Sequence, residues 1–243
     1  RGKSSNLVFK LGVLDGPSNF WVDQITYAED PTVTMIYPTL STSGKAQSAL
    51  ANLNLAGDFY WDSTVQTISL HFASEPTTTD PELCSDKPLL DLDGLSYIIF
   101  DGLTFSHSGA SGVIGDFHHV TFKNSVITKV GVQSASGNSG NAIDTYCESS
   151  NNDFAYNKIH DIWGIALAAT CASGLSYSNN AFYYNLIYTI RTCIQLPATS
   201  DSTVTTIKYE NNVCYSSTDF HLLVASSNIA ASSVSIRNNI FST

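Results

Sequence analysis

The chain has 243 residues, 43% hydrophobic and 13% charged, enough apolar material for one packed domain with at most a small appendage. Its 11 Lys+Arg against 21 Asp+Glu give a net charge of -10, which repels nucleic-acid phosphates and anionic headgroups and disfavours polyanionic substrates. No apolar run approaches the roughly 20 residues that span a bilayer, so neither nucleic acid nor membrane insertion is expected.

The chain opens at Arg1 without a charged-then-apolar leader, as expected of a processed form or a fragment. NLVFKLGVL (6–14) reads as a strand. In GDFYWDSTVQTISLHFASEP (57–76), Thr67-Ile-Ser-Leu-His-Phe72 alternates with period two and Asp62-Ser-Thr supplies a turn, which predicts a hairpin. The Pro/Thr-rich EPTTTDPEL (75–83) predicts a loop. The expected division sets these strands, 1–88, apart from the remaining residues, 89–243.

From residue 98 onward the chain repeats itself. IIFDGLTF, VTFKNSVI, NDFAYNKI, NAFYYNLI, IKYENNVC and VSIRNNIF begin at residues 98, 120, 152, 180, 207 and 234, at intervals of 22, 32, 28, 27 and 27. Position three is aromatic or Ile (Phe100, Phe122, Phe154, Phe182, Tyr209, Ile236), and position eight is apolar or Cys (Phe105, Ile127, Ile159, Ile187, Cys214, Phe241). Both are predicted to point inward. Three residues further on, Val130, Ile162 and Ile190 continue the apolar pattern while Ser108 and Ser217 interrupt it.

Strand-length bursts at a period too short for a βαβ unit, with no helical stripe, predict stacked coils made of strands alone. A single coil has nothing to bury its apolar face against until another stacks on it. Position six is Asn in four copies, Asn157, Asn185, Asn212 and Asn239. Asn tolerates the left-handed conformation of a sharp bend, and its amide can bond to the Asn of the next coil, so these four predict a ladder along one corner. The insertion GVQSASGNSG (131–140) widens one coil to 32 residues.

Five cysteines without CxxC or Cys/His ligand spacing do not indicate zinc. Cys147 and Cys171, 24 residues apart, suit a cross-coil disulfide in an oxidising compartment. Cys214 at the inward eighth position and Cys193, aligned with Ile165, read as packed core thiols.

The strand-Asn-Asn-apolar repeats, with YIIFDGLTF (97–105) and NKIHDIWGIAL (157–167), resemble the right-handed parallel β-helix proteins of the pectin-lyase-like superfamily from Leu89 onward. The resemblance implies an all-β right-handed parallel β-helix, and the strands around 20–76 look like the β-rich segment inserted before the DGLTF coil in many secreted members. It also implies a secreted or cell-surface protein that acts on or binds a polysaccharide, as a lyase or glycoside hydrolase. The rival is a non-catalytic adhesin, tailspike segment or filament subunit that self-associates end to end.

In such a solenoid, chemistry belongs on outward side chains of successive coils. Positions nine and ten give His107, Lys129, His160 with Asp161, and Tyr188, while a second column takes in Asp144, Ala166, Gln195 and His221. Asp144, His160, Asp161 and Lys129 are the catalytic candidates. His107, Tyr188, Gln195, His221 and Arg191 are the substrate-binding ones, and outward Tyr183, Tyr188, Tyr215 and Trp163 suit stacking on sugar faces. The cations Lys123, Lys129, Lys158, Arg191, Lys208 and Arg237 do not converge by repeat position, and neither an Asp-Asp pair nor the Asp-Pro-His of alginate epimerases occurs. The family's catalytic residues therefore do not carry over. No cofactor is expected, calcium being the ion that Glu148, Asp153 and Asp144 would suit.

Overall fold

The computed structural model describes residues 21–26, 33–37, 47–55, 58–62, 64, 67–72, 82–85, 87–134, 137–170, 176–196, 203–224 and 234–242. The strand expected at 6–14 lies outside them. Two compact units emerge, one of residues 1–86 with 132–137, the other of 87–131 with 138–243.

In the first unit, Thr67–Phe72 pairs antiparallel with both Trp21–Thr26 and Phe59–Asp62. The hairpin turn is where Asp62 stands, its Oδ1 accepting the Thr64 N–H at 2.9 Å. Val33–Tyr37 pairs antiparallel with Glu82–Ser85. The loop expected at 75–83 therefore ends earlier, because Glu82 and Leu83 join a ladder that satisfies their backbone groups.

The second unit is a parallel β-solenoid. One sheet stacks the strands Ile99–Asp101, Thr121–Lys123, Asp153–Ala155, Ser176–Tyr183, Thr203–Glu210 and Val234–Arg237, all parallel. Phe100, Phe122, Phe154, Phe182, Tyr209 and Ile236 fall in one register column. Inside, the rings of Phe154, Phe182 and Tyr209 stack at 4.8 Å. A second sheet carries Phe105, Ile127, Ile159, Ile187, Cys214 and Phe241 in register. Both expected inward columns are buried, except on the outermost described rungs, where Ile236 is 37% exposed with a neighbour on one side.

Ser108, Val130, Ile162, Ile190 and Ser217 form a third column. Buried Ser108 breaks its apolar pattern at little cost, since its hydroxyl donates to the Lys87 carbonyl at 2.7 Å. Beyond it the register slips between Ile162 and Ile165, and again between Ile190 and Thr192. Ile165 therefore faces Thr192, and Asp144 lines up with Ala168, Gln195 and Leu223. Ala166 and His221 do not belong to that column, and Cys193 is not the partner of Ile165: spacing counted through a bulge is off by the extra residue.

The asparagine ladder runs as expected. Asn157, Asn185 and Asn212 each donate from Nδ2 to the Oδ1 of the next Asn at 3.1, 2.9 and 3.0 Å. That same oxygen accepts the donor residue's own backbone N–H. Each Nδ2 also reaches a carbonyl of the preceding coil, from Phe122, Phe154, Phe182 and Tyr209.

The bend itself falls one residue earlier. Positive φ occurs at position five, at Gly102, Asn124, Tyr156, Tyr184, Asn211 and Asn238. The two asparagines of the pair thus have separate tasks, the first turning the chain and the second bonding inside. Two more bends repeat the device, just before each repeat (Tyr97, His119, Asn151, Asn179, Thr206) and at position ten (His107, Lys129, Asp161, Thr189, Ser216). A second buried amide pair sits at position one, where Asn152 Nδ2 donates to Asn180 Oδ1 at 2.8 Å. The insertion closes at a neck where a Cβ on Gly140, φ +92, would stand 2.2 Å from the Gly131 Cα, so position 140 requires glycine.

Asn185→Ala strands the buried Asn157 N–H and the Phe154 carbonyl and breaks the ladder at its middle. The expected loss is about 3 kcal/mol, seen as a lower urea midpoint. Asn211→Gly, at a bend, should change stability by no more than about 0.5 kcal/mol in the same measurement.

Candidate functional site

The outward residues of positions seven to ten build a ridge along the solenoid. Strand Lys158–Thr170 pairs with Leu186–Leu196 and that with Val213–Val224, so His160, Tyr188 and Tyr215 share one column. His160 and Tyr188 stack at 4.8 Å and 3°, Tyr188 and Tyr215 at 5.1 Å and 10°. Lys158 places its Nζ 5.5 Å from the centre of the Tyr188 ring. A hydrogen bond to the Tyr188 phenol, then the phenol's charge, raises the Lys158 ammonium above its ordinary pKa.

Rings stacked face to face along the axis present their edges to solvent. The ridge therefore offers phenol hydroxyls, an imidazole and an ammonium at coil spacing rather than open faces for sugar stacking. Tyr156 and Tyr184, at the neighbouring bend, stack in the same way at 5.0 Å and 4°. They are 56% and 50% exposed, which makes the bend an aromatic border to the ridge.

His160 Nδ1 lies 2.9 Å from Asp161 Oδ2 and 3.2 Å from Thr128 Oγ1. Lys129 and His107 precede Asp161 in the position-ten column, one and two coils away. Of the catalytic candidates, His160, Asp161 and Lys129 thus gather on this face, with Tyr188 and His107 of the binding set. Arg191 lies on the same strand as Tyr188 and is ion-paired to Asp219.

Asp144 is elsewhere. Its column crosses strand Lys158–Thr170 at Ala168, eight residues beyond His160. There it is 8% exposed, and its oxygens accept from Asn141 Nδ2 at 2.8 Å and Thr170 Oγ1 at 2.7 Å. Asn141 Oδ1 in turn accepts the Ile165 N–H at 2.9 Å. Asp144 therefore clamps the segment that leaves the insertion. Burial raises its carboxyl pKa, opposed by the Thr170 and Asn141 hydrogen bonds. Nearby Tyr146 is raised by burial, then by the charges of Asp144, Asp91 and Asp93. Gln195 lies two coils from Asp144 in the same column.

His221 takes a different place from the one its spacing suggested. Its Nδ1 is 3.4 Å from Cys193 Sγ and 3.2 Å from Ser217 Oγ. Cys193 and Cys214 are not core thiols but a disulfide, with Cα atoms 6.3 Å apart. Cys193 and Cys214 stand at different repeat positions of adjacent coils, so a count of repeat positions does not pair them. Cys147 is disulfide-bonded too, while Cys171 lies outside the described residues. Glu148, Asp153 and Asp144 form no tight ligand group; among the described residues Cys193, Cys214 and His221 do, with ligand atoms within 4.8 Å of one another.

Sequence reasoning passed over Lys158 as a ridge residue and the Asn152–Asn180 pair. The signal for the pair was present, since both stand first in aligned repeats. A family model described as a right-handed β-helix region matches residues 90–243. No curated protein and no solved structure matches the chain.

Because the folded Asp144 carboxyl has a raised pKa, the folded state holds its proton more tightly than the unfolded chain. Its contribution is therefore fullest below the unfolded value of 3.8 and is lost as pH rises through the folded one. Asp144→Asn removes this dependence. Urea midpoints measured across that window should show the variant gaining on wild type as pH rises.

Proposed function

The chain belongs to the right-handed β-helix family, and we propose that it binds an extracellular polysaccharide along the ridge of Lys158, His160, Tyr188 and Tyr215. The carrying observation is the parallel stack of His160, Tyr188 and Tyr215 with spacings of 4.8 and 5.1 Å. Polar ring edges repeating at coil spacing make a comb of hydrogen-bonding groups, which suits a hydroxyl-rich chain lying parallel to the solenoid axis. A rigid comb also loses little conformational freedom on binding. The net charge of -10 favours a neutral glycan over a uronate polymer.

Bond cleavage on this ridge is assigned to the His160–Asp161 pair. Asp161 holds the imidazole by one nitrogen, which leaves the other to move a proton at the glycan, and Lys129 adds positive charge one coil away. A secreted or cell-surface location is supported by the Cys193–Cys214 disulfide and the disulfide-bonded Cys147.

A glycan array, followed by titration of the strongest hit, tests the binding. Tyr188→Ala should weaken it roughly 5- to 30-fold, the equivalent of about 1–2 kcal/mol. Equal affinity for the wild type and Tyr188→Ala would remove the ridge from consideration. Reducing-end and unsaturated-uronate assays on the same glycan read turnover, which Asp161→Asn should abolish while retaining binding.

A further inference from the structure

We propose that Cys193, Cys214 and His221 form a redox-gated site for a thiophilic d10 cation such as Zn2+, closed while the disulfide is intact and open to metal once it is reduced. The proposal is independent of the glycan ridge.

Three ligand atoms of soft and borderline character, Cys193 Sγ, Cys214 Sγ and His221 Nδ1, already lie within 4.8 Å of one another. Tetrahedral zinc with Zn–S and Zn–N bonds of about 2.3 and 2.05 Å sets sulfur and nitrogen about 3.6 Å apart. His221 Nδ1 stands 3.4 Å from Cys193 Sγ. Once the covalent bond is gone, the two sulfurs need only separate to about 3.8 Å. Ser217 Oγ lies 3.2 Å from the same nitrogen.

Charge agrees with burial. Cys193 and Cys214 are 0% and 1% exposed, and two thiolates neutralise a divalent cation there. Thiolate and imidazole ligands select zinc-like or cuprous ions over calcium or magnesium.

The chemistry balances with a small-molecule thiol or phosphine as reductant. Two electrons and two protons convert the Sγ–Sγ bond into two thiols, and the reductant leaves as its disulfide or phosphine oxide. Cation binding then releases both thiol protons. The neutral His221 ring donates its Nδ1 lone pair and keeps its proton on Nε2. The two strands remain tethered in either state, by the covalent bond or by the metal.

The test uses the full chain, reduced and then freed of reductant under anaerobic conditions, with Co2+ as the spectroscopic probe. Reduced protein should show a thiolate-to-cobalt charge-transfer band and tetrahedral d–d bands that the oxidised protein lacks. Reduced His221→Ala should need roughly tenfold more Co2+ or more to reach the same intensity. On wild-type protein alone, Zn2+ should slow alkylation of Cys193 and Cys214 roughly tenfold or more, with the other cysteines unaffected, as read by peptide mass spectrometry. Absence of the bands in reduced wild type, or Zn2+ protection that spares Cys193 and Cys214, overturns the proposal. So do bands of equal strength in Cys214→Ser, which would place cobalt on the other cysteines.

Discussion

Each coil of this solenoid must turn inward-facing backbone through three bends without leaving its polar groups unpaired. A buried N–H or C=O that loses its partner costs about 1–3 kcal/mol, and the bends sit where sheet pairing is interrupted. The amide of Asn answers this constraint because it both donates and accepts. One side chain takes the N–H of the coil before it, gives one hydrogen to that coil's carbonyl, and gives the other to the next amide. The bends also demand left-handed backbone, which non-glycine residues adopt at a cost of about 1 kcal/mol or more. That Tyr, Thr, His and Lys all accept it here means the stacked neighbours dictate the conformation rather than the local residue.

Stacking at strand spacing has a second consequence, on the outside. Equivalent positions of successive coils lie close enough for like side chains to touch, so aromatic residues there become ladders. Inside, this fills the core through Phe154, Phe182 and Tyr209. Outside, it locks His160, Tyr188 and Tyr215 in one orientation and converts three flexible surface groups into a fixed row. The same pairing turns ring faces toward each other. What a partner meets is therefore set by hydroxyl and ring-nitrogen edges, with Lys158 beside them.

The parts of this structure legible in the sequence are those where repeat position and register coincide. Phe154 over Phe182, Ile159 over Ile187 and the four ladder asparagines follow from counting, because parallel pairing keeps equivalent residues in one column. Counting fails beyond the bulges after Ile162 and Ile190. Ala166, Cys193 and His221 all lie past them, and all three fall outside the columns that counting gives them. Asp144 illustrates a different limit. Its column is outward, so spacing made it a surface acid, yet Asn141 and Thr170 occupy both its oxygens in a buried setting. Whether an outward residue is free depends on which polar groups flank its column, and a linear pattern carries no information on that.

The disulfide adds a tie that the parallel ladder does not supply. In a solenoid each coil is held by its neighbours, so stability is a sum of local interfaces and fraying proceeds rung by rung. Cys214 belongs to the eighth-position column of one coil, whereas Cys193 lies six residues beyond Ile187 on the preceding one. The bond therefore couples two legs of adjacent coils that regular pairing keeps apart, across a sequence separation of 21 residues. Closing a loop of that length is worth about 3 kcal/mol in the chain-entropy view, comparable with the loss of one ladder amide. The crosslink lies beside His221, whose Nδ1 stands 3.4 Å from Cys193 Sγ.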